Sequence, residues 1–277
     1  MLKQGNFTQV ERLATESLEL SRTLGDARGA ASCLVILGLR ACRMEDYGTA
    51  EVLGGEGLDL SRQTGDNFAT AWAQAILGFV ARAKGDLDRA ASLLEESLAL
   101  ARALGHQWAA AAILVNLGLL YRDRHQTEKA GALFEEALEI FRQLGDKSYV
   151  AYSMLNLGSI ASALGDYPRA RALYAECLAI RQDLQETRGI VTCLAALGCA
   201  ATAMQQYGRA ATLFGAFDAQ RQATGASIPA LFRAEYERRL DETSVALGND
   251  DFARACAVGR AMTRDQAVAF ALGGGTG

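Results

Sequence analysis

Proline, histidine and lysine are scarce in this chain of 277 residues. It contains two prolines and two histidines, and only four of its 28 basic residues are lysine. Proline interrupts helices and central strands, so its scarcity permits a long series of unbroken helices. The histidines, His106 and His125, stand at turns of different type. No shared metal site is therefore predicted.

The motifs of common catalytic sites are also missing. The chain has no G-x-x-x-x-G-K followed by Ser or Thr, no H-E-x-x-H and no G-x-S-x-G. We therefore predict a protein that is not an enzyme, with no catalytic residues, no metal and no cofactor. It also lacks an apolar run of about 18 residues and a signal-peptide pattern, which predicts neither a membrane span nor secretion.

The charge balance is mildly acidic. Net charge is −4 and the isoelectric point is near 5.4. Domains that bind nucleic acid usually carry a basic stripe, so direct nucleic-acid binding is not predicted. None of the six cysteines forms a C-x-x-C pair, and we interpret them as small buried thiols in a reduced, cytoplasmic protein. They are Cys33, Cys42, Cys177, Cys193, Cys199 and Cys256.

A repeat of 40 residues organises the sequence. Leu-Gly recurs without slippage at 37–38, 77–78, 117–118, 157–158 and 197–198, and an alanine follows twelve residues after each glycine. Glycine also returns near the end of each period, with Gln185 as the one exception. A fixed period of this size indicates a repeat array, in which each unit buries its apolar face against its neighbours.

Each period contains two amphipathic segments with helical spacing. Leu114, Leu117 and Tyr121 illustrate the first segment of a period, and Leu133, Ala137 and other apolar residues mark the second. Gly-Asp pairs between the segments supply a left-handed residue and an N-cap. Helix pairs are predicted at 27–44/47–64, 67–84/87–104, 107–124/127–144, 147–164/167–184 and 187–204/207–224. The recurrent glycine, as at Gly118, is expected to permit close packing of the two helices beside Ala130.

Both ends of the array depart from the pattern. Residues 5–25 match only the second helix of a period, so Phe7, Val10, Leu13 and Leu18 are expected to form an uncovered apolar stripe. This open end predicts self-association or contact with an upstream domain. At the other end, 228–247, a segment reaching about 261 and Ala267–Leu272 are predicted helices, the last preceded by a capping box at 263–266. The predicted organisation is an array at 1–226, a helical cap at 227–272 and a disordered tail at 273–277.

One period carries an unusual run of glycine. Gly54, Gly55 and Gly57 fall where other periods have larger residues. Three helical glycines cost ~2–3 kcal/mol relative to alanine. A hinge and a tolerated soft spot both remain open interpretations.

The order Leu-Gly, Tyr121, Ala130, Phe134 and Ala137 resembles the tetratricopeptide repeat, in a 40-residue variant similar to that of kinesin light chains and bacterial regulators. The resemblance covers about 7–225. It implies an all-α, right-handed α-solenoid of helix-turn-helix repeats with a C-terminal helical cap. It also implies a scaffold that binds protein or peptide.

In that family the first helices of the repeats line a concave groove. The residues that match groove positions here are Trp72, Phe79, Arg82, Asn116, Arg122, Tyr152 and Asn156, with Trp108 at the border. By this resemblance Asn116 and Asn156 would bond a peptide main chain. The arginines would meet an acidic group, and the aromatic residues would supply apolar area.

The C-terminal stretch, with 213–216 and 260–263, resembles the end of large LuxR-type and other signal-transduction ATPase regulators. The leading hypothesis is thus a non-catalytic interaction arm of a larger cytoplasmic bacterial regulator. The alternative is a small-molecule effector-binding domain of a transcriptional regulator. An open groove would favour the first hypothesis and a deep pocket the second.

Overall fold

A computed structural model describes residues 4–226 and 230–273. Within these ranges the regular structure is entirely helical and contains no strand. The helices are α1 (Gln4–Leu24), α2 (Ala27–Arg43), α3 (Tyr47–Thr64), α4 (Asn67–Ala83), α5 (Leu87–Ala103), α6 (Gln107–Asp123), α7 (Thr127–Leu144), α8 (Lys147–Ala163), α9 (Tyr167–Asp183), α10 (Thr187–Ala203), α11 (Tyr207–Thr224), α12 (Ala230–Leu247), α13 (Asn249–Arg260) and α14 (Arg264–Leu272). The predicted all-α fold of paired helices is confirmed, and the repeat helices end within one residue of their predicted limits.

The chain forms two compact units, Met1–Ile140 and Phe141–Gly277. In the first unit α2 packs on α3, α3 on α4 and α4 on α5, and in the second α8 packs on α9, α9 on α10 and α10 on α11. Packing between successive helices is typical of repeat proteins. The 40-residue period gives no sign of this division, because it continues unchanged through α7.

The turns have the chemistry that the Gly-Asp pairs predicted. Asp66, for example, accepts a hydrogen bond from the backbone N–H of Ala69 at 3.0 Å, and the preceding Gly65 is left-handed at φ 67°. The same cap is made by Asp26, Asp46, Asp86, Asp146 and Asp166. Among the residues that the structure describes, four turns place a non-glycine residue at positive φ, namely Glu45, His125, Gln185 and Gln205.

The recurrent glycine of each first helix makes room for one large side chain of the second helix. A Cβ atom on Gly118 would lie 2.7 Å from Cε1 of Phe134, which is too close for any real contact. Gly78 stands in the same relation to Leu94, with 2.8 Å to Cγ. The close approach expected at Gly118 is therefore an approach to the buried ring of Phe134. The packing of the two helices depends on both the glycine and the ring.

The glycine-rich period keeps an unbroken helix. α3 runs from Tyr47 to Thr64. A Cβ on Gly54 would lie 2.9 Å from Cγ2 of Ile76, so a side chain of the next helix pair takes the space that a ring fills elsewhere. Gly55 faces open space. This continuity favours the soft-spot interpretation over the hinge.

Helix α1 is covered on only one face. Leu18 is buried in a cluster with Ala30, Cys33 and Leu34 of α2. The prediction that Leu18 belongs to the open stripe is therefore wrong, because it lies on the face that packs inward. The side chain of Phe7 lies outside the described residues. The exposed apolar residues of α1 are Val10, Leu13, Leu20 and Leu24.

The last three helices close the second unit. α13 packs closely on α11, and α12 contacts α10 and α11. Thr263 and Gln266 form the predicted capping box, with 2.9 Å from the N–H of Thr263 to Oε1 of Gln266. The helix start predicted at Ser227–Pro229 and the tail after Gly273 lie outside the described residues.

The described residues contain neither a membrane-spanning helix nor a cluster of metal-ligating side chains. No helix in 4–226 or 230–273 combines the length and hydropathy needed to cross a bilayer. In the same residues no group of three or more His, Cys, Asp or Glu side chains is placed to hold a metal ion.

We predict that Gly118→Leu lowers the free energy of unfolding by about 2–3 kcal/mol, because the new side chain must displace the ring of Phe134 in a close-packed core. Chemical denaturation monitored by circular dichroism measures the change. Gly55→Ala is the matched control. It also replaces a helical glycine, but in open space, and it should stabilise by about 0.5–1 kcal/mol. A loss of stability at position 55 as large as at 118 would contradict the packing argument.

Candidate functional site

The predicted groove residues all lie on first helices of repeats, but in two different units. Trp72, Phe79 and Arg82 lie on α4, and Asn116 and Arg122 on α6, within the first unit. The remaining two, Tyr152 and Asn156, lie on α8 in the second unit.

One face of α4 carries a continuous row of large side chains. Phe68, Trp72, Phe79 and Arg82 are spaced by four, seven and three residues. At 100° per residue these spacings place all four within one narrow stripe. Trp72, Phe79 and Arg82 are half-buried, so their inner atoms pack while their outer faces meet solvent.

Four aromatic rings meet at the start of α4 and α6. The ring centroid of Trp72 lies 5.9 Å from that of Trp108 and 6.4 Å from that of Phe68, and His106 lies 5.0 Å from Phe68. These separations are within the range of favourable aromatic pairs. We call Phe68, Trp72, His106 and Trp108 the aromatic cluster.

The aromatic cluster is built on the turn chemistry of the repeat. His106 takes the N-cap position of α6, where its Nδ1 accepts a hydrogen bond from the N–H of Ala109 at 3.2 Å. This bond fixes the imidazole beside Phe68. Phe68 itself remains 45% exposed. Exposed apolar surface indicates an interaction site where it is contiguous, and the ring of Phe68 is continuous with the rings of Trp72 and His106.

The charged end of the same face is internally paired. Arg82 bonds the carboxylate of Asp123 at 2.6 Å, and Arg122 approaches it at 3.3 Å. The Arg82 guanidinium also lies 5.3 Å from the ring centroid of Phe79. Arg82 was expected to offer its charge to a ligand. The structure instead places that charge against a carboxylate of the protein.

The amide of Asn116 is partly used by its own helix. Its Nδ2 donates to the carbonyl oxygen of Ala112 at 2.9 Å, one turn earlier. The side chain is half-buried, at the edge of the stripe that contains Trp108 and Arg122. Asn116 thus lies beside the surface rather than at its centre.

In the second unit Tyr152 and Asn156 differ in exposure. Tyr152 is 36% exposed and makes an edge contact with Tyr149 at 6.5 Å. Asn156 is only 2% exposed, and its Nδ2 donates to the carbonyl oxygen of Tyr152 at 2.9 Å. The expectation that Asn156 presents its amide to a peptide is therefore corrected, because its amide nitrogen is bound within α8 and the side chain is covered.

Helix α12 lies over groove positions of the second unit. Ser162 and Thr202 occupy the repeat position that Arg82 and Arg122 hold in the first unit. Ser162 donates to Glu235 at 2.9 Å, and the hydroxyls of Thr202 and Thr243 are 2.7 Å apart. The chain's own C-terminal part thus takes contacts that would otherwise face a ligand.

A cavity of about 450 Å³ remains between α8, α9 and α12. Its polar lining residues are Ser159, Ser162, Tyr167, Glu235, Arg238 and Arg239. Arg239 is buried, with bonds to Tyr167 Oη at 3.2 Å and to Glu242 at 2.9 Å. Its Nε is buried without a hydrogen-bond partner. Ser159 and Ser162 of α8 leave this space open, because they are small. The equivalent repeat positions on α4 carry the larger Phe79 and Arg82.

Sequence reasoning missed two features that left a signal. Phe68 precedes Trp72 by four residues and matches Trp108 in the next period, which places it on the same face. Asp123 follows Arg122 directly, and a carboxylate beside an arginine in the sequence is a candidate partner for an ion pair. The cavity under α12 left no comparable signal, since it depends on where the last helices dock.

Comparison with known families supports the repeat assignment. Tetratricopeptide-repeat models match residues 75–107 and 109–183. These two stretches of the chain, from α4 to α9, are therefore similar to tetratricopeptide repeats. No curated protein matches it.

Solved structures share the fold at low sequence identity. BtubC (BKLC) from P. vanneervenii gives a TM-score of 0.66 at 23% identity, covering 80% of this chain and 94% of that one. The TPR-like repeats of a kinesin light chain from Podosopora anserina give 0.55 at 20%, covering 70% and 96%. Aspartyl phosphate phosphatase F from Bacillus subtilis gives 0.57 at 12%, covering 93% and 71%. These likenesses establish the tetratricopeptide-like helical fold, and none is to a LuxR-type regulator.

Proposed function

We propose that the protein is a non-catalytic scaffold that holds a peptide or protein segment on the aromatic face of its first unit. The observation that carries this proposal is the aromatic cluster, in which three successive ring contacts join four rings and Phe68 is left 45% exposed. Tetratricopeptide repeats are consistent with a role in protein interaction. The finer assignment to this face is ours.

The chemistry of the face favours apolar anchors in the partner. Tryptophan and tyrosine are the side chains most often dominant at protein interfaces, since they bury large areas at little entropic cost. Trp72, Trp108 and Phe79 supply such area within the first unit. Because Asp123 already neutralises Arg82, we expect aromatic and aliphatic contacts to determine affinity. Asn116 and Arg122 lie at the rim of the surface.

We further propose that this scaffold is the sensor or interaction arm of a larger cytoplasmic bacterial regulator. The support is the likeness of 213–216 and 260–263 to the ends of such regulators. A genomic test is direct: the coding sequence around this chain should contain an ATPase or DNA-binding module. A complete gene without such a module would exclude this context and leave the scaffold proposal intact.

A photo-crosslinking amino acid at position 68 tests the surface. Phe68 is exposed, so the substitution should leave the fold unchanged. The crosslinked partner segment is identified by mass spectrometry and made as a synthetic peptide. Its binding is then followed by the fluorescence of Trp72 and Trp108, which are the only tryptophans of the chain.

Trp72→Ala with Trp108→Ala should weaken binding of that peptide by at least about tenfold, or about 1.4 kcal/mol, because the main apolar contacts are lost. Calorimetry measures the affinity, and circular dichroism checks that helicity is kept. Phe252→Ala, which removes a half-buried ring from α13, is the control and should bind normally. If the double variant binds as tightly as the wild-type chain, the partner lies elsewhere.

The small-molecule alternative is favoured by the cavity under α12. Its volume is within the range of ligand pockets, and an arginine and a carboxylate line it together. Such a pair suits a compact zwitterion or carboxylate. A thermal-shift screen of amino acids and small carboxylates would test it. Stabilisation that is lost in Arg238→Ala would support this second function, and a flat screen would count against it.

The exposed stripe of α1 (Val10, Leu13, Leu20 and Leu24) is proposed to mediate self-association of the isolated chain. Burial of this stripe contributes roughly 25 cal/mol per Å² of apolar surface. Leu13→Glu with Leu20→Glu should shift light scattering towards the monomer at high concentration. Val245→Glu is the matched control, because Val245 is a single exposed valine on α12. A wild-type chain that is monomeric throughout would contradict the proposal.

A further inference from the structure

Two cysteine thiols face each other between α9 and α10. The Sγ atoms of Cys177 and Cys193 are 3.4 Å apart, and both side chains are fully buried. A disulfide needs a sulfur separation of about 2 Å, so a small rearrangement of two side chains would join them. All six cysteines of the chain are free thiols.

The pair is specific to one repeat. At the repeat position of Cys177 the earlier periods carry Gly57, Ser97 and Ala137. Cys33 is equivalent to Cys193, but the helix before it has Ser17 at the position equivalent to Cys177. Cys177 donates to the carbonyl oxygen of Ala151 at 3.1 Å, just as Ser97 donates to that of Ala71 at 2.6 Å. Serine therefore meets the packing needs of this position, and the second thiol adds a capacity for chemistry.

The surroundings activate one of the two thiols. The Cys193 thiol donates to Cys177, and this hydrogen bond, together with the nearby Arg181 guanidinium, lowers the pKa of Cys177 despite burial. The same bond and complete burial raise the pKa of Cys193. Arg181 is held by a buried ion pair with Glu186, which also accepts from Ser148 at 2.9 Å. A thiolate next to a thiol is the arrangement of an attacking and a resolving cysteine.

The turn that covers this cluster departs from the turn chemistry of the repeat. Where the equivalent turns have Gly at 25, 65, 105, 145 and 225, this one has Gln185 at φ 54°. A non-glycine residue in this left-handed region costs about 1 kcal/mol or more. Glu186 makes no side-chain cap for α10, because its carboxylate faces Arg181. Such strain lowers the free energy needed to open this turn locally, and we take that opening as the route by which a small oxidant reaches the buried thiols.

We infer that Cys177 and Cys193 are a modification site at which a hydroperoxide forms an intramolecular disulfide. The Cys177 thiolate attacks a peroxide oxygen and breaks the O–O bond, which gives a sulfenic acid and, for hydrogen peroxide, hydroxide that takes a proton to become water. Cys193 sulfur then attacks the sulfenic sulfur, so that the S–S bond forms and the S–O bond breaks. The departing hydroxide takes the Cys193 proton. Two thiols and one peroxide thus give one disulfide and two waters.

The test uses the full chain and hydrogen peroxide at low molar excess. Intact mass spectrometry should show a loss of about 2 Da, reversed by a dithiol reductant. Non-reducing trypsin digestion should link peptide 172–181, which contains Cys177, to peptide 189–209. The second peptide also contains Cys199, so the experiment is repeated in Cys199→Ser, where the link should persist.

Single variants separate the two roles. In Cys193→Ser the disulfide cannot form, and a sulfenic-acid probe should label Cys177. In Cys177→Ser, sulfenic-acid labelling of Cys193 should be at least about tenfold weaker than labelling of Cys177 in Cys193→Ser, because the thiol with the lower pKa is gone. Serine stands at these repeat positions as Ser97 and Ser153, so both variants should keep the wild-type helicity. Cys33 is the internal control and should stay reduced.

Three results would overturn the inference. The first is a wild-type chain whose methionines are oxidised while residues 177 and 193 remain unlinked thiols. The second is linkage of either cysteine to a different one. The third is equal labelling of Cys177 and Cys33, which would show that the paired site has no special reactivity.

Discussion

The contact between a glycine on the first helix of a repeat and a large side chain on the second supports most of the architecture. Gly118 leaves space for the buried ring of Phe134, and Gly78 does the same for Leu94. Glycine in a helix costs about 0.5–1 kcal/mol relative to alanine, so its recurrence requires the compensation that ring burial provides. With that contact fixed, each helix pair has one defined geometry, and the outer face of the first helix is free to vary.

This division between buried and free positions explains how much of the fold was predictable. The limits of the repeat helices α2–α11 follow from periodicity and from Gly-Asp turns, which are local properties, and they were predicted to within one residue. Helix α14 instead begins at Arg264, three residues before its predicted start. The inward position of Leu18 was missed because a stripe of apolar residues does not say which edge a neighbour covers. The split after Ile140 and the docking of α12 could not be predicted from the sequence for the same reason. They depend on contacts between residues far apart in sequence.

The candidate site shows the same limit at the scale of single side chains. Repeat position correctly indicated which helices carry the large residues, and the spacing of Phe68, Trp72 and Phe79 defines one face. It did not indicate hydrogen-bond partners. Asn156 bonds a carbonyl one turn back and is covered, whereas Asn116 makes the same bond and stays half-exposed. Equivalent residues in a repeat thus share backbone geometry but differ in accessibility, because their neighbours differ.

The same repeat positions have different surroundings in the two units. In the second unit serine and threonine at the groove position bond α12, which leaves a polar cavity rather than an open apolar surface. In the first unit arginine stands at that position, and the aromatic cluster stays partly exposed. A buried polar contact within the chain is made once, on folding. An exposed aromatic surface lowers the free energy only when something covers it. The partner proposed for the first unit would provide that cover. Under the proposed function, recognition of a partner accounts for the placement of Phe68, Trp72 and Trp108 on one partly exposed face better than stability does.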